Sequence, residues 1–158
     1  MATAMVQTDL LNGLTGDDGG RVLALGKRIL LTSGAELFHL GDQAESIYVI
    51  AQGRLRLTLP IQVRGQEQNV LVEERVPGQT VGWSALIPPY RFTLTATAPL
   101  ETEVIALPRE RLHQHFAQYP EAGYAVSLNL ASVIGERLQL FQAMWVREVQ
   151  RMVELRNA

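Results

Sequence analysis

An apolar stripe runs through the last third of the sequence. From Glu121 to Leu155 there is no proline, and apolar residues recur at steps of three or four. They are Leu130, Ile134, Leu138, Phe141, Trp145, Val149, Met152 and Leu155. This period predicts one long amphipathic helix. At 1.5 Å per residue, about 35 residues span ~50 Å, more than a small domain can cover. We therefore expect the excess to pack against a second copy of the chain. The alternative is two shorter helices, broken at Gly135 and folded back.

Short strand patterns occupy the stretch from 28 to 108. The residues from Ile47 to Ile50 are apolar on both faces, as in a covered strand. After Gly53, three leucines up to Leu59 alternate with polar residues, which is typical of a strand with one buried face. A polar hairpin loop is predicted around Gly65. Several short strands with glycine-rich turns favour a sandwich or barrel over an α/β sheet.

These patterns predict a mainly β fold with flanking helices. We divide the chain into N-terminal helices and turns over 1–27, a β barrel over 28–108, and C-terminal helices over 109–158. All three parts are predicted to form a single domain, since the length suits one core.

Charge and composition narrow the functional classes. The 158 residues carry a formal net charge of −2 and no cysteine. So small a charge implies no general attraction to nucleic acid or to an anionic membrane. Without cysteine there is no disulfide, thiol nucleophile or zinc–thiolate site. The N-terminus has no signal-peptide pattern, and no apolar run reaches the ~18 residues of a membrane span, so a cytoplasmic protein is predicted.

No catalytic or metal-binding cluster is readable in the sequence. His113 and His115 form an HQH motif similar to the metal motif of cupins, but it falls in a predicted helix, where residues two apart do not share a face. His39 is predicted at an exposed strand end. Arg109 and Arg111 begin a predicted helix and are interpreted as solvated surface. We therefore predict no enzyme activity, no metal and no cofactor, with a cupin-type metalloenzyme as a remote alternative.

The segment "LFHLGDQAESIYVIAQGRLRL" resembles the first signature of the cyclic-nucleotide-binding domain. The matching elements are Gly41, Asp42, Ala44, the apolar strand Ile47-Tyr48-Val49-Ile50, and Gly53. This fold serves the catabolite activator protein family and the regulatory subunits of cyclic-AMP-dependent protein kinase. The resemblance covers nearly the whole chain. It implies a jelly-roll-like β barrel with flanking helices, and a final helix that commonly forms the dimer interface.

A second segment, "VGWSALIPPYRFTLTATA", resembles the phosphate-binding cassette of that family. Its glycine, small residue and apolar residue match Gly82, Ala85 and Leu86. The family's glutamate accepts a hydrogen bond from the ribose, but here Trp83 replaces it, and an indole N–H only donates. The resemblance implies the following ligand-binding candidates: Gly82, Trp83, Ser84, Ala85, Arg91, Phe92 and Thr93.

The position of the family's phosphate-binding arginine is ambiguous. Arg91 is the only arginine in the segment, and the loop before it looks one residue short. Counting back from Ala98 in the family register puts Phe92, not Arg91, at the arginine position. Because a one-residue slip reverses every side chain, Arg91 would then point out of the pocket. A bulge near Pro88–Tyr90 could restore it.

Three interpretations of the cassette remain open. Trp83 and Phe92 fill the cavity; or the ligand has changed to something anionic or aromatic, with Trp83 stacking on a ring and Arg91 supplying charge; or cyclic AMP or cyclic GMP binds in the usual way. The resemblance therefore implies a non-enzymatic regulatory or sensor module with altered or lost cyclic nucleotide binding. We expect this module to form a homodimer through its last helix and to take, if any ligand, a small anionic or nucleotide-like one.

The alternative function is the ligand-sensing part of a catabolite-activator-type transcription regulator. Many bacterial relatives continue past the long helix into a helix-turn-helix domain. This chain ends at Ala158, which leaves no room for one, so direct binding of nucleic acid is not expected.

Overall fold

Eight strands form two antiparallel sheets in residues 8–158, the part of the chain that the computed structural model describes. The strands are β1 (Lys27–Leu31), β2 (Glu36–Phe38), β3 (Ser46–Gln52), β4 (Leu55–Val63), β5 (Gln66–Arg75), β6 (Thr80–Val81), β7 (Thr95–Thr97) and β8 (Thr102–Pro108). One sheet has the order β1-β8-β3-β6 and the other β2-β7-β4-β5. Buried side chains from both sheets meet in one hydrophobic core.

The predicted mainly β, jelly-roll-like fold is confirmed; its two sheets are not closed into a barrel. Among residues 8–158 no strand pairing joins one sheet to the other. Each sheet therefore keeps its own edges, and the architecture is a jelly-roll-like sandwich of two sheets. The strands run from Lys27 to Pro108, close to the predicted range of 28–108. The single-domain assignment stays a prediction.

Two turns show why glycine stands where it does. Gly53, between β3 and β4, has a φ of +82°, and a Cβ added there would lie 2.6 Å from the carbonyl oxygen of Glu101. No other residue fits that position without a shift of the backbone. The β4–β5 hairpin turns at Arg64 and Gly65, both with positive φ, which is the geometry of a tight hairpin turn. The polar loop predicted around Gly65 is thus a two-residue turn.

Within residues 8–158, three helices flank the sheets. A short helix, α1 (Asp18–Leu23), precedes β1, and the stretch from 8 to 17 is mainly turn; residues 1–7 of the predicted N-terminal part lie outside the described residues. After Pro108 comes α2 (Arg109–Gln118), and Pro120 then opens α3 (Pro120–Arg156). Proline suits the first turn of a helix because the N–H that it lacks would have no partner there.

The long helix α3 is continuous over 37 residues. The predicted C-terminal helix is therefore confirmed, and the alternative of a break at Gly135 is wrong, since that residue lies within the helix. The first half of α3 packs on the core through Val126, Leu130 and Val133. Its second half exposes apolar side chains, among them Trp145 and Met152. Within residues 8–158, no helix is both long enough and apolar enough to cross a lipid bilayer.

Candidate functional site

The cassette-like segment begins at the end of β6. Gly82 has a φ of +80°, and a short 3₁₀ helix, Trp83–Leu86, follows it. A Cβ added to Gly82 would lie 3.2 Å from ring atoms of both Phe92 and Tyr48. The glycine is thus required by its backbone conformation and by the aromatic rings packed against it.

Three aromatic rings stack beneath that glycine. The ring centroids of Phe92 and Phe38 are 3.8 Å apart, with 9° between the planes. The ring of Tyr48 lies 5.9 Å from that of Phe38. Burial raises the pKa of the Tyr48 hydroxyl, which therefore stays neutral at physiological pH. The stack is an uncharged aromatic packing unit beside the cassette-like segment.

The space beside the stacked rings of Phe38 and Phe92 is very small. A cavity of about 10 Å³ is lined by Phe38, Leu57, Gly82, Trp83, Ser84, Phe92, Thr93, Leu94 and Arg137. That volume holds about one water molecule. Pockets for small ligands measure roughly 300–1,000 Å³. In this conformation the cavity therefore has no room for a nucleotide.

Arg91 lies outside this cavity. Its side chain is exposed, and its Nη1 donates to the carbonyl oxygen of Gly41 at 3.0 Å. Its neighbour Phe92 donates its backbone N–H to the carbonyl of Asp42 and turns its ring inward. The geometry before Arg91 thus does not bring its guanidinium to the cavity.

The structure brings together five of the seven candidate residues and leaves two apart. Gly82, Trp83, Ser84, Phe92 and Thr93 line the small cavity. The other two do not line it: Ala85 is buried in the core and Arg91 is on the surface. Whether any of the seven binds a ligand stays a prediction.

Arg109 was interpreted as solvated surface, and the structure corrects this. Its Nη1 donates to the carbonyl oxygens of Ala44 and Ala85, at 2.7 and 2.8 Å. Its guanidinium carbon lies 3.9 Å from the centroid of the Tyr90 ring. Arg109 therefore ties the 3₁₀ helix to the start of α2.

A buried ionic network that sequence reasoning did not find lies beside the cavity. Arg137 of α3 donates through Nε to Glu73 Oε2 at 3.0 Å, and the other oxygen of Glu73 accepts from Arg75 Nη1 at 2.9 Å. Arg75 also donates to Asp9 Oδ2 at 2.9 Å. The network joins α3, β5 and the segment before α1 in one chain of charges.

A larger cleft adjoins the small cavity. It has a volume of about 270 Å³ and lies between β4, the 3₁₀ helix and α3. It is lined by Leu59, Trp83, Thr93, Leu94, Ile134, Arg137, Leu138 and Phe141. Four residues line both this cleft and the small cavity: Trp83, Thr93, Leu94 and Arg137.

The histidines do not converge. His113 borders a groove between α2 and α3, while the His115 ring lies 4.7 Å from that of Tyr119. His39 lies on the surface beside Glu36. Within residues 8–158, no three potential metal-ligand side chains come close enough to hold an ion. The absence of a metal cofactor stays a prediction.

We expect a raised pKa for His39. Its Nδ1 lies 2.6 Å from Glu36 Oε1, and this hydrogen bond raises the pKa of the imidazole above its usual 6.5. The hydrogen bond between His39 and Glu36 therefore stabilises the folded state fully at pH values below the unfolded-state pKa of His39. This stabilisation is lost as pH rises through the higher folded-state pKa. NMR titration should show the raised value in the native protein and a return toward 6.5 in Glu36→Gln. An unchanged value in that variant would contradict the assigned cause.

Comparison with known proteins places this geometry in a family. The model of the cyclic nucleotide-binding domain matches residues 28–119. The cyclic AMP receptor protein of Thermus thermophilus is 28% identical over 135 residues, which are 85% of this chain and 59% of that protein. The chain thus spans about three fifths of that curated relative's length.

Solved structures agree with the sequence match. The catabolite activator protein of Thermus thermophilus is similar with a TM-score of 0.70 and 27% identity, over 95% of this chain and 63% of that one. The N-terminal domain of a transcriptional regulator from Streptomyces coelicolor has the same fold, with a TM-score of 0.70 and 23% identity over 87% of this chain and 94% of that one. Because the family model matches more than half of the sequence, the chain belongs to the cyclic nucleotide-binding domain family.

Proposed function

We propose that this protein is a non-enzymatic, cytoplasmic regulatory or sensor module in which the family's cyclic nucleotide site is lost. One observation carries the proposal: the space beside Gly82, Trp83 and Phe92 measures only about 10 Å³. Trp83 stands where the ribose-binding glutamate is expected, and Phe92 occupies the place of the phosphate-binding arginine. The exposed guanidinium of Arg91 does not compensate, because it is bonded to Gly41 on the surface.

The expected loss of affinity for cyclic nucleotides can be estimated. The glutamate–ribose hydrogen bond and the arginine–phosphate pair are each worth roughly 1.5–3 kcal/mol. Without both, binding weakens by about two to four decades. A site with a dissociation constant of about 10 µM would weaken to about 1 mM or more, even before the absence of space is counted.

Thermal unfolding with 1 mM cyclic AMP or cyclic GMP tests the proposal. We expect no change in the unfolding midpoint, because neither nucleotide binds appreciably at that concentration. A site with a dissociation constant of about 10 µM would instead stabilise the protein by about 2.7 kcal/mol. For a chain of this size that is a rise of roughly 5–10 °C. Such a rise would overturn the proposal, and its disappearance in Arg91→Ala would show that Arg91 reaches the ligand.

The module is proposed to act as a homodimer. Beyond Phe141, α3 leaves the sheets and exposes apolar side chains on one face. Trp145 and Met152, which are seven residues apart, are 67% and 50% exposed. A seven-residue apolar spacing is that of two helices packed side by side. A second copy of α3 is the occupant that matches this face, since it presents the same spacing.

The alternative function is the ligand-sensing part of a transcription regulator of the catabolite activator type. The similarity to the catabolite activator protein of Thermus thermophilus, over 95% of this chain, favours it. In that role residues 8–158 would supply the sensing domain, and binding of nucleic acid would belong to another part of the assembly.

A further inference from the structure

Arg137 is a buried charge whose bonding is incomplete. Its side chain is only 8% exposed, yet among residues 8–158 its single hydrogen-bond partner is Glu73, reached through Nε. Both Nη groups donate to no described residue. No fully enclosed side-chain nitrogen or oxygen in residues 8–158 lacks a partner, so both Nη groups reach open space. Arg137 lines the 270 Å³ cleft, which is larger than the 10 Å³ cavity that it also touches.

Arg137 has one carboxylate partner among residues 8–158. Glu73 divides its two oxygens between Arg137 and Arg75. Arg75 has a second carboxylate in Asp9, whereas Arg137 has none among the described residues. The two Nη groups of Arg137 face open space and remain available to an anionic ligand. A carboxylate reaching the two Nη groups would complete the network, because the guanidinium fork matches it in geometry.

The walls of the cleft define the rest of the ligand. Six of its eight lining residues are apolar, including the rings of Trp83 and Phe141. The described lining contains no carboxylate or side-chain amide to accept hydrogen bonds from a sugar diol. The cleft is therefore suited to an apolar body with one anionic end and unsuited to a ribose.

We propose that this cleft binds a small aromatic carboxylate, whose carboxylate pairs with the Nη groups of Arg137 and whose ring lies against Trp83 and Phe141. The inference rests on the proposed function in one respect, that the sensor no longer takes cyclic nucleotide. It assigns the ligand's charge to Arg137 of α3 and not to Arg91. A ligand held there touches both the 3₁₀ helix and α3, so it can couple the cassette to the long helix.

Binding of 3-phenylpropionate tests the proposal, with its neutral isostere 3-phenylpropanamide as the matched ligand. Trp145→Phe leaves Trp83 as the only tryptophan of the chain, so its fluorescence reports on the cleft. We expect the acid to perturb that fluorescence and to bind at least about tenfold more tightly than the amide, since only the acid pairs with a charged donor. Equal affinities, or no binding of the acid at 10 mM, would overturn the proposal.

Two arginine variants test whether Arg137 is the residue that pairs with the ligand's carboxylate. In Arg137→Gln the preference for the acid should disappear, while in Arg151→Gln, which removes an exposed arginine of the same helix, it should stay. Retained preference in Arg137→Gln would refute the assignment. If Arg137→Gln does not fold, the comparison of acid and amide binding to the protein with Arg137 unchanged still tests the proposal.

A separate titration with cyclic AMP keeps the two proposals apart. Tight binding of cyclic AMP would refute the proposal that the nucleotide site is lost. The comparison of acid and amide binding would still test the carboxylate site. If neither cyclic AMP nor 3-phenylpropionate binds, only the proposed carboxylate site is refuted.

Discussion

Trp145→Glu combined with Met152→Glu is expected to convert the protein from a dimer to a monomer. Both side chains lie on the part of α3 that extends beyond the sheets, and both are at least half exposed in the single chain. If two α3 helices pack along this face, the variant places four carboxylates in their contact. Burying an unpaired ion costs several kcal/mol. We therefore expect the dimer to weaken by more than about a thousandfold.

Sedimentation equilibrium at micromolar concentration measures this directly. The unchanged protein should show twice the chain mass, and the variant the chain mass, with the same helical content in both. Gln139→Glu with Gln150→Glu is the matched control, because it adds the same charge on another, exposed side of the helix and should leave the dimer intact. A native protein that stays monomeric at high concentration would contradict the proposed assembly. Leu138 is left unchanged because it also lines the cleft.

The fold was largely predictable because its signals are local. Alternation of Leu55, Leu57 and Leu59 with polar residues appears as a buried and an exposed face of β4, fading toward the hairpin tip. Gly53 and Gly65 mark turns that only positive φ can make. Whether the two sheets close into a barrel does not follow from these local signals, since closure depends on pairing between edge strands far apart in sequence. No residue pattern within one strand reports such pairing.

The sequence also predicts which side chains of the cassette strand point into the core. Phe92, Leu94, Ala96 and Ala98 are buried as the register argument requires, and Arg91 is exposed. The argument worked because successive side chains of extended backbone point to opposite sides. Thr95 departs from the alternation: it is buried, and its hydroxyl accepts a hydrogen bond from the backbone N–H of Leu40.

The ionic network was missed because its members are distant in sequence. Glu73 and Arg137 are 64 residues apart, and no local sequence pattern around either residue predicts that they are in contact. One signal was available: Arg137 stands between Ile134 and Leu138, on the apolar side of α3. A long arginine at such a position is ordinarily assumed to extend to the solvent. Here the sheet carrying Glu73 lies over it, so the side chain is buried and paired.

Phe92→Ala is expected to destabilise the protein by about 3–5 kcal/mol, the usual cost of removing a core phenylalanine. The reason is the stack: Phe92 lies 3.8 Å from Phe38, and Gly82 packs closely against both rings. With so little free volume nearby, the neighbours cannot collapse into the space that the ring leaves. Chemical denaturation measures the loss, with Tyr124→Ala, an exposed ring on α3, as a control expected to change stability by less than about 0.5 kcal/mol.

The size of that loss bears on function as well as on stability. In an open, hydrated ligand pocket the ring of Phe92 would have water on one side, and its removal would cost under about 1 kcal/mol. A double-mutant cycle with Phe38→Ala separates the two cases further, because stacked aromatic pairs couple by roughly 0.5–1.5 kcal/mol. A large loss with positive coupling means that the phosphate site of the family has become part of the hydrophobic core. A small loss without coupling would mean that the pocket opens in solution, and cyclic nucleotide binding would again be possible.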